Sequence, residues 1–402
     1  MRDAGAAAHA REFGDGEETG NGEETGNGEE TGNGEEMGND VEANGATAAG
    51  DASVLVVADH PNPGKIRRHW GPLAAVADRT TMVCLTPDES VEGIDYRVPP
   101  SVGNRYVGLA LVGLLALAEA ARGDYDLVAS ISLLPYGLVA LAAGAVAGLP
   151  THLGIIGMDA DRHARAWYGA LPRAAFRRFD VVSVPGSAHV ESLVGMGVAR
   201  ERVAVLSNAI DADVYRPDGR AAEPTYDFLW AGRFSAEKNP LAFVRALAAL
   251  ADEGAAFRAV LLGDGPLAEA VEEAVARADL GDRVDLPGWV DDPVAYYREA
   301  TAFVLTSRRE GLPLTLLEAM ATGVVPVVPP VGSVTDAARH GETALVVPES
   351  SPAALADAMG RLLADDALRA RLAERAPTVR EEYDYGAARA DWRRILRVGL
   401  GG

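Results

Sequence analysis

The twenty residues 309–328, REGLPLTLLEAMATGVVPVV, constrain this chain more than any other stretch. The apolar run 302–306 just before them reads as a buried strand. Gly311 and Pro313 mark a turn, and 314–321 are good helix formers that stop at Gly323. Pro313 falls where a first helical residue is expected and Gly323 where a C-terminal cap is expected. A helix that opens this way turns unpaired N–H groups and the positive end of its dipole into the space beyond the strand, which suits a diphosphate. Glu310 precedes the helix and Glu318 lies in its second turn, so both carboxylates are expected at one crevice, where they would accept hydrogen bonds from sugar and ribose hydroxyls. The plainer alternative makes Glu310 a helix-entry acid and Glu318 a solvated helix residue, since the chain holds 59 acids.

A second element is FLWAGRFSAEKNP, residues 228–240. Residues 228–231 read as a strand and Gly232 as a tight exit. Arg233 and Lys238 lie in the loop before the helical run 241–250. Two cations at the carboxyl end of a strand suit the phosphates of a departing nucleotide. Lys65 and Lys238 are the two lysines among 37 basic residues. A compact ammonium therefore stands where the chain otherwise uses arginine, and the two are not interchangeable at a phosphate. The alternative is an ordinary solvated loop pair.

Arg233 and Lys238, LLGDGPL at 261–267, PGWV at 287–290 and EGLPLTLLE at 310–318 resemble, in order and spacing, the donor site of family 4 retaining glycosyltransferases with the GT-B fold. The resemblance extends more weakly from Val54 to the C-terminus and excludes the first 50 residues. It implies a nucleotide diphosphate sugar as co-substrate, no other cofactor, and transfer with retention of anomeric configuration. Residue by residue, Arg233 and Lys238 would hold the diphosphate, Glu318 the ribose and Glu310 the sugar hydroxyls. Gly232, Gly263 and the backbone of Gly311, Leu312, Pro313, Leu314 and Thr315 would line the donor, and the main chain at Val290 would meet the base. Family members commonly carry a histidine before a Gly-x-Asp at the fourth strand's end, but IIGMD puts Ile156 there. Asp159 and His163 are the candidates to serve that surface instead, or are simply surface residues. No carboxylate nucleophile is evident, which favours front-face displacement with the diphosphate assisting deprotonation of the acceptor.

At 402 residues and 48% hydrophobic content, the chain has enough apolar sequence for two cores. The expected class is α/β, two Rossmann-like domains facing a cleft. The first takes residues 53–206, the second 227–379, with a linker at 207–226, and the resemblance implies that a last helix, 385–398, packs back on the first domain. The loop HPNPGKIRRHW after the first strand sits where open α/β sheets place ligands, and the resemblance implies that it faces the acceptor, which makes Gly64, Lys65 and Arg67 acceptor-side candidates. A lone cysteine, Cys84, excludes an intramolecular disulfide and fits a buried strand in a reducing cytoplasm.

Residues 1–50 carry 13 acids against two arginines, half of the net charge of −22. Their hexads, DGEETG to NGEEMG, have almost no apolar residue and are expected to be disordered rather than a solenoid or a calcium site. The acidic, lysine-poor body resembles proteins of salt-adapted archaea, and this charge disfavours nucleic acid. Residues 129–152 carry no charge, yet Pro135 and Gly137, Gly144 and Gly148 break them into strand 127–130, buried helix 136–147 and strand 152–156, a βαβ step rather than a membrane span. The pairs Asp159/Asp161 and Asp211/Asp213 are short acid pairs in the wrong place for a sugar-transferase metal, so no metal is expected. Arginines between Arg162 and Arg178, interleaved with Trp167, Tyr168 and Phe176, suit either anionic lipid headgroups or a packed amphipathic helix pair. The acceptor is expected to be a glycan or a lipid-linked sugar, and the oligomeric state stays open. The alternatives in function are a noncatalytic nucleotide-sugar binding subunit and a GT-B-like sugar-nucleotide epimerase.

Overall fold

A computed structural model describes residues 51–60, 63–155, 169–348 and 351–401. The acidic repeats, Ile156, Asp159, His163 and the segment 162–168 of the basic stretch lie outside the described residues. The described residues all belong to one compact unit.

Short runs of valine, leucine and alanine, apolar on both faces, form two parallel sheets, as strands buried on both sides must. The first holds β1 (Ser53–Val57), β2 (Arg79–Val83), β3 (Ile94–Arg97), β4 (Leu127–Ile131), β5 (Thr151–Gly154), β6 (Val181–Val184) and β7 (Val203–Val205), in the order β3-β2-β1-β4-β5-β6-β7. The second holds β8 (Tyr226–Ala231), β9 (Ala259–Leu262), β10 (Val284–Gly288), β11 (Ala300–Val304), β12 (Val325–Val328) and β13 (Leu345–Val346), in the order β10-β9-β8-β11-β12-β13. The two-domain α/β architecture expected from sequence is therefore present. In each sheet the order reverses beside the first strand, between β1 and β4 and between β8 and β11, so loops leave these neighbours in opposite directions and open a crevice.

Helices α1 (Pro63–Ala74), α2 (Arg105–Arg122), α3 (Leu138–Ala147), α4 (Ala170–Phe176) and α5 (Ser187–Gly195) cover the first sheet. Ile66, Trp70 and Leu73, at helical spacing, bury α1 against one face together with the C-terminal helix Tyr385–Leu400. Trp392 of that helix stacks on Trp70 with ring centroids 5.8 Å apart, meets His152 edge-on at 4.9 Å and donates its indole N–H to the His69 carbonyl at 3.1 Å. His152 is fully buried, with Nε2 2.8 Å from the Ser183 hydroxyl. Burial pushes its pKa down to about 3, so it is a neutral core residue.

Three expectations need correction. HPNPGKIRRHW is not a loop throughout: the helix starts at Pro63, whose fixed φ suits a first turn. Residues 207–226 do more than link, because Ile210 joins the second core and Arg220 donates to the Ala300 carbonyl at 2.9 Å. Finally, α3 buries Ala140, Ala143 and Gly144 but leaves Leu138 and Val146 exposed, because it packs on one side only. No helix among the described residues is long and apolar enough to cross a membrane.

Candidate active site

The second sheet is packed by α6 (Pro240–Asp252) and α7 (Ala268–Arg277) on one face and by α8 (Val294–Arg298) and α9 (Leu314–Ala321) on the other. Because α6 follows β8 and α9 follows β11, the loops after these paired strands flank the second switch point. They carry Lys238 and Glu310. The Lys238 ammonium donates to Glu310 Oε1 at 2.6 Å, with the two side chains 31% and 7% exposed. Around this ion pair the loops are stitched together. The Thr306 hydroxyl accepts from the Trp230 indole at 2.9 Å and sits within 3.0 Å of the Lys238 and Asn239 carbonyls. The Arg308 N–H donates to the Glu237 carbonyl at 2.9 Å, and Arg309 pairs with Glu237 at 3.2 Å. Lys238 is thus held by its backbone while its ammonium stays partly open to solvent.

Two glycines let backbone segments touch beside this pair. A Cβ on Gly263 would lie 1.9 Å from the Gly232 carbonyl oxygen, and one on Gly332 would lie 2.0 Å from the Glu310 carbonyl oxygen, both at positive φ. Gly232 in turn donates to the Leu262 carbonyl and Gly263 to the Gly288 carbonyl, so the loops ending β8, β9 and β10 form one surface. Arg233 is exposed on it, and Val290, two residues beyond β10, is half-buried at its side. The positions expected to line a donor are in this way brought to one end of the sheet.

Glycine at 311 and Pro313 shape the entry to α9. Pro313 is the cap residue, extended at φ −73° and ψ 131°, rather than the first helical residue, and no side chain caps the helix. Leu314 and Thr315, half-exposed, therefore present uncapped first-turn N–H groups, a favourable seat for an anion. Leu312 is buried, and its carbonyl accepts from the buried Asn208 amide at 2.8 Å, which ties this loop to the segment joining the two domains. A second tie is the Ser187 hydroxyl, which donates to Asp336 at 2.6 Å.

Glu318 does not share Glu310's setting. It is 7% exposed and accepts from the Tyr297 hydroxyl at 3.2 Å, with Tyr215 as a second hydroxyl donor. That excludes the solvated-residue alternative. Burial raises its pKa, opposed first by the Arg68 guanidinium and then by the two tyrosines. On the acceptor side, Gly64 and Lys65 are exposed in the first turn of α1, and Arg67 turns to the Ser90 hydroxyl at 3.2 Å. The residue of α1 that faces the second domain is the next one, Arg68. Tyr215, Tyr297 and Arg68 were not found from sequence: Tyr215 lies in a polar stretch without periodicity, Tyr297 is one of two adjacent tyrosines, and Arg68 is one of two adjacent arginines.

Comparison with known proteins agrees with this layout. Residues 43–209 match the model of the glycosyl transferase 4-like domain, and residues 211–379 that of glycosyl transferases group 1. EpsF of Bacillus subtilis (strain 168) is 30% identical over 241 residues, 56% of this chain and 62% of that protein. The alpha-D-kanosaminyltransferase of Streptomyces kanamyceticus is 34% identical over 176 residues, 43% of this chain and 46% of that protein. The chain thus matches about half the length of these curated relatives. Anabaena HepE, solved with UDP and glucose, superposes with a TM-score of 0.71 at 17% identity, covering 84% of this chain and 97% of that one, which speaks for the fold. With a 4-like domain followed by a group 1 domain on two facing parallel sheets, the chain belongs to the glycosyltransferases of the GT-B fold.

Proposed function

We propose that the protein transfers a sugar from a nucleoside diphosphate sugar to a glycan or lipid-linked acceptor, with retention of anomeric configuration. The observation that carries this reading is the Lys238–Glu310 ion pair at the switch-point crevice, beside the uncapped first turn of α9. On donor binding the ammonium turns from Glu310 to the diphosphate, where Arg233 and the α9 N–H groups share the charge. Glu310, released, accepts from sugar hydroxyls. Glu318, fixed by Tyr297 and Tyr215, faces the ribose. The acceptor oxygen attacks the anomeric carbon from the side on which the phosphate leaves. The bond to the phosphate oxygen breaks as the new glycosidic bond forms, and the acceptor proton passes to the departing diphosphate. Lys238 and Arg233 stabilise charge that grows only as that bond breaks, so they lower the barrier rather than merely tighten binding. That HepE was solved with UDP and with UDP-glucose supports a nucleotide-sugar donor.

Retention is tested by proton NMR of the product formed from an α-linked donor. The expected product is the α-anomer; a β-linked product would exclude front-face displacement, and donor binding without turnover would point to a noncatalytic binding subunit.

A further inference from the structure

Among the described residues, nine of the twelve exposed large hydrophobic side chains lie between Val98 and Leu171. They concentrate on the helices covering one face of the first sheet. α2 and α3 pack side by side there, with the Cβ position of Gly113 3.9 Å from a Val139 methyl. Tyr106, Ala110 and Leu114, four residues apart, form an outward row on α2, and Leu138, Ala142 and Val146 form its neighbour on α3. Tyr106 is 75% exposed and Leu114 and Val146 are each 63% exposed. A helix that is apolar all round is ordinarily buried, and an apolar surface built from two such rows marks a docking face.

The charges around the rows identify the occupant. In a chain with 59 acids, none occurs between Asp95 and Glu119, and residues 127–155 carry no charged side chain at all. Exposed Arg105 and Arg122 stand at the two ends of α2. On the same sheet face, α4 exposes Leu171, with Arg177 and Arg178 exposed just after it. We propose that the α2–α3 face docks on a lipid bilayer bearing anionic headgroups, with the two apolar rows in the boundary between headgroups and acyl chains and the arginines among the headgroups. Salt confines the relevant charges to those within about 10 Å, so the two acid-free rows and the arginines at their ends, and not the net charge, govern contact. A second copy of the chain fits less well. A two-fold pairing of this face would set Arg105 and Arg122 against their own kind, and Glu119, the one acid on α2, already pairs with Arg97 at 3.8 Å. The docking is independent of sugar transfer and is read by lipid binding alone.

The test is co-sedimentation of the full chain with phosphatidylcholine vesicles with and without phosphatidylglycerol. The expected result is pelleting with the anionic vesicles only, lost in the Leu114→Glu/Val146→Glu variant and about fivefold weaker for each of Arg105→Gln and Arg122→Gln. All four positions are exposed, so thermal midpoints should match the parent, and Val398→Glu on the C-terminal helix should leave pelleting unchanged. Equal pelleting of parent and Leu114→Glu/Val146→Glu, no pelleting of the parent, or a dimer in sedimentation velocity that this double variant dissolves would overturn the proposal.

Discussion

Replacing Lys238 by alanine is expected to lower kcat by about 10²–10³-fold, the usual cost of removing one preorganised charge stabiliser from a transition state. The reasoning runs through both of its partners. The ammonium donates to Glu310 at 2.6 Å, and in the proposed reaction it turns from there to the diphosphate. Its main chain is fixed by Thr306 and the neighbouring loop, so little reorganisation is needed. Without it, the Glu310 side chain, only 7% exposed, loses its ion-pair partner at the site proposed for the diphosphate. Lys238→Arg should recover only part of the loss, because a planar fork replaces a point charge. Initial rates at saturating donor, with unfolding midpoints to show that both variants fold, check this. A loss below about threefold would remove Lys238 from the chemistry.

The second large effect is on stability. Trp392→Ala is expected to cost about 3–5 kcal/mol, the range for emptying a fully buried large aromatic site. Trp392 sits where Trp70, His152 and the His69 carbonyl converge, and it fastens the last helix of the chain to the first sheet. Its neighbours cannot collapse into the gap. Trp70 is held by α1, and His152 by β5 and its bond to Ser183. Urea unfolding followed by tryptophan fluorescence measures the change. Arg393→Ala, one residue on but facing solvent, should move the midpoint by less than about 0.5 kcal/mol.

What could be read from sequence and what could not divides along chain distance. β8, β11 and α9 were legible because each is a local pattern: an apolar run, a glycine or proline stop, a run of helix formers. The positive φ of Gly323, read as a C-terminal cap, follows from the same punctuation. The grouping of Lys238, Glu310, Gly263 and Val290 at one sheet end rested on order and spacing of motifs, and the sheet order accounts for it physically. Glu318's partners were not legible. Tyr215, Tyr297 and Arg68 reach it from a stretch read as a linker, from α8 and from the other domain, and no local pattern encodes such meetings. Pro313 was misplaced by one residue because proline's φ fits both a cap and a first turn, and the two differ only in ψ. The exposed side of α3 was misread for a related reason: a helix apolar all round has no periodicity to say which side meets the sheet.

The most direct test of the donor-site account is the thermal midpoint of the full chain, in molar potassium chloride, against UDP, GDP and ADP and their sugars, compared with Lys238→Ala. A ligand present at 100 times its Kd should stabilise the parent by about 2.7 kcal/mol. The account predicts a rise with one nucleotide and its sugars that disappears in the variant; no rise with any of them, or an equal rise in both proteins, would contradict it.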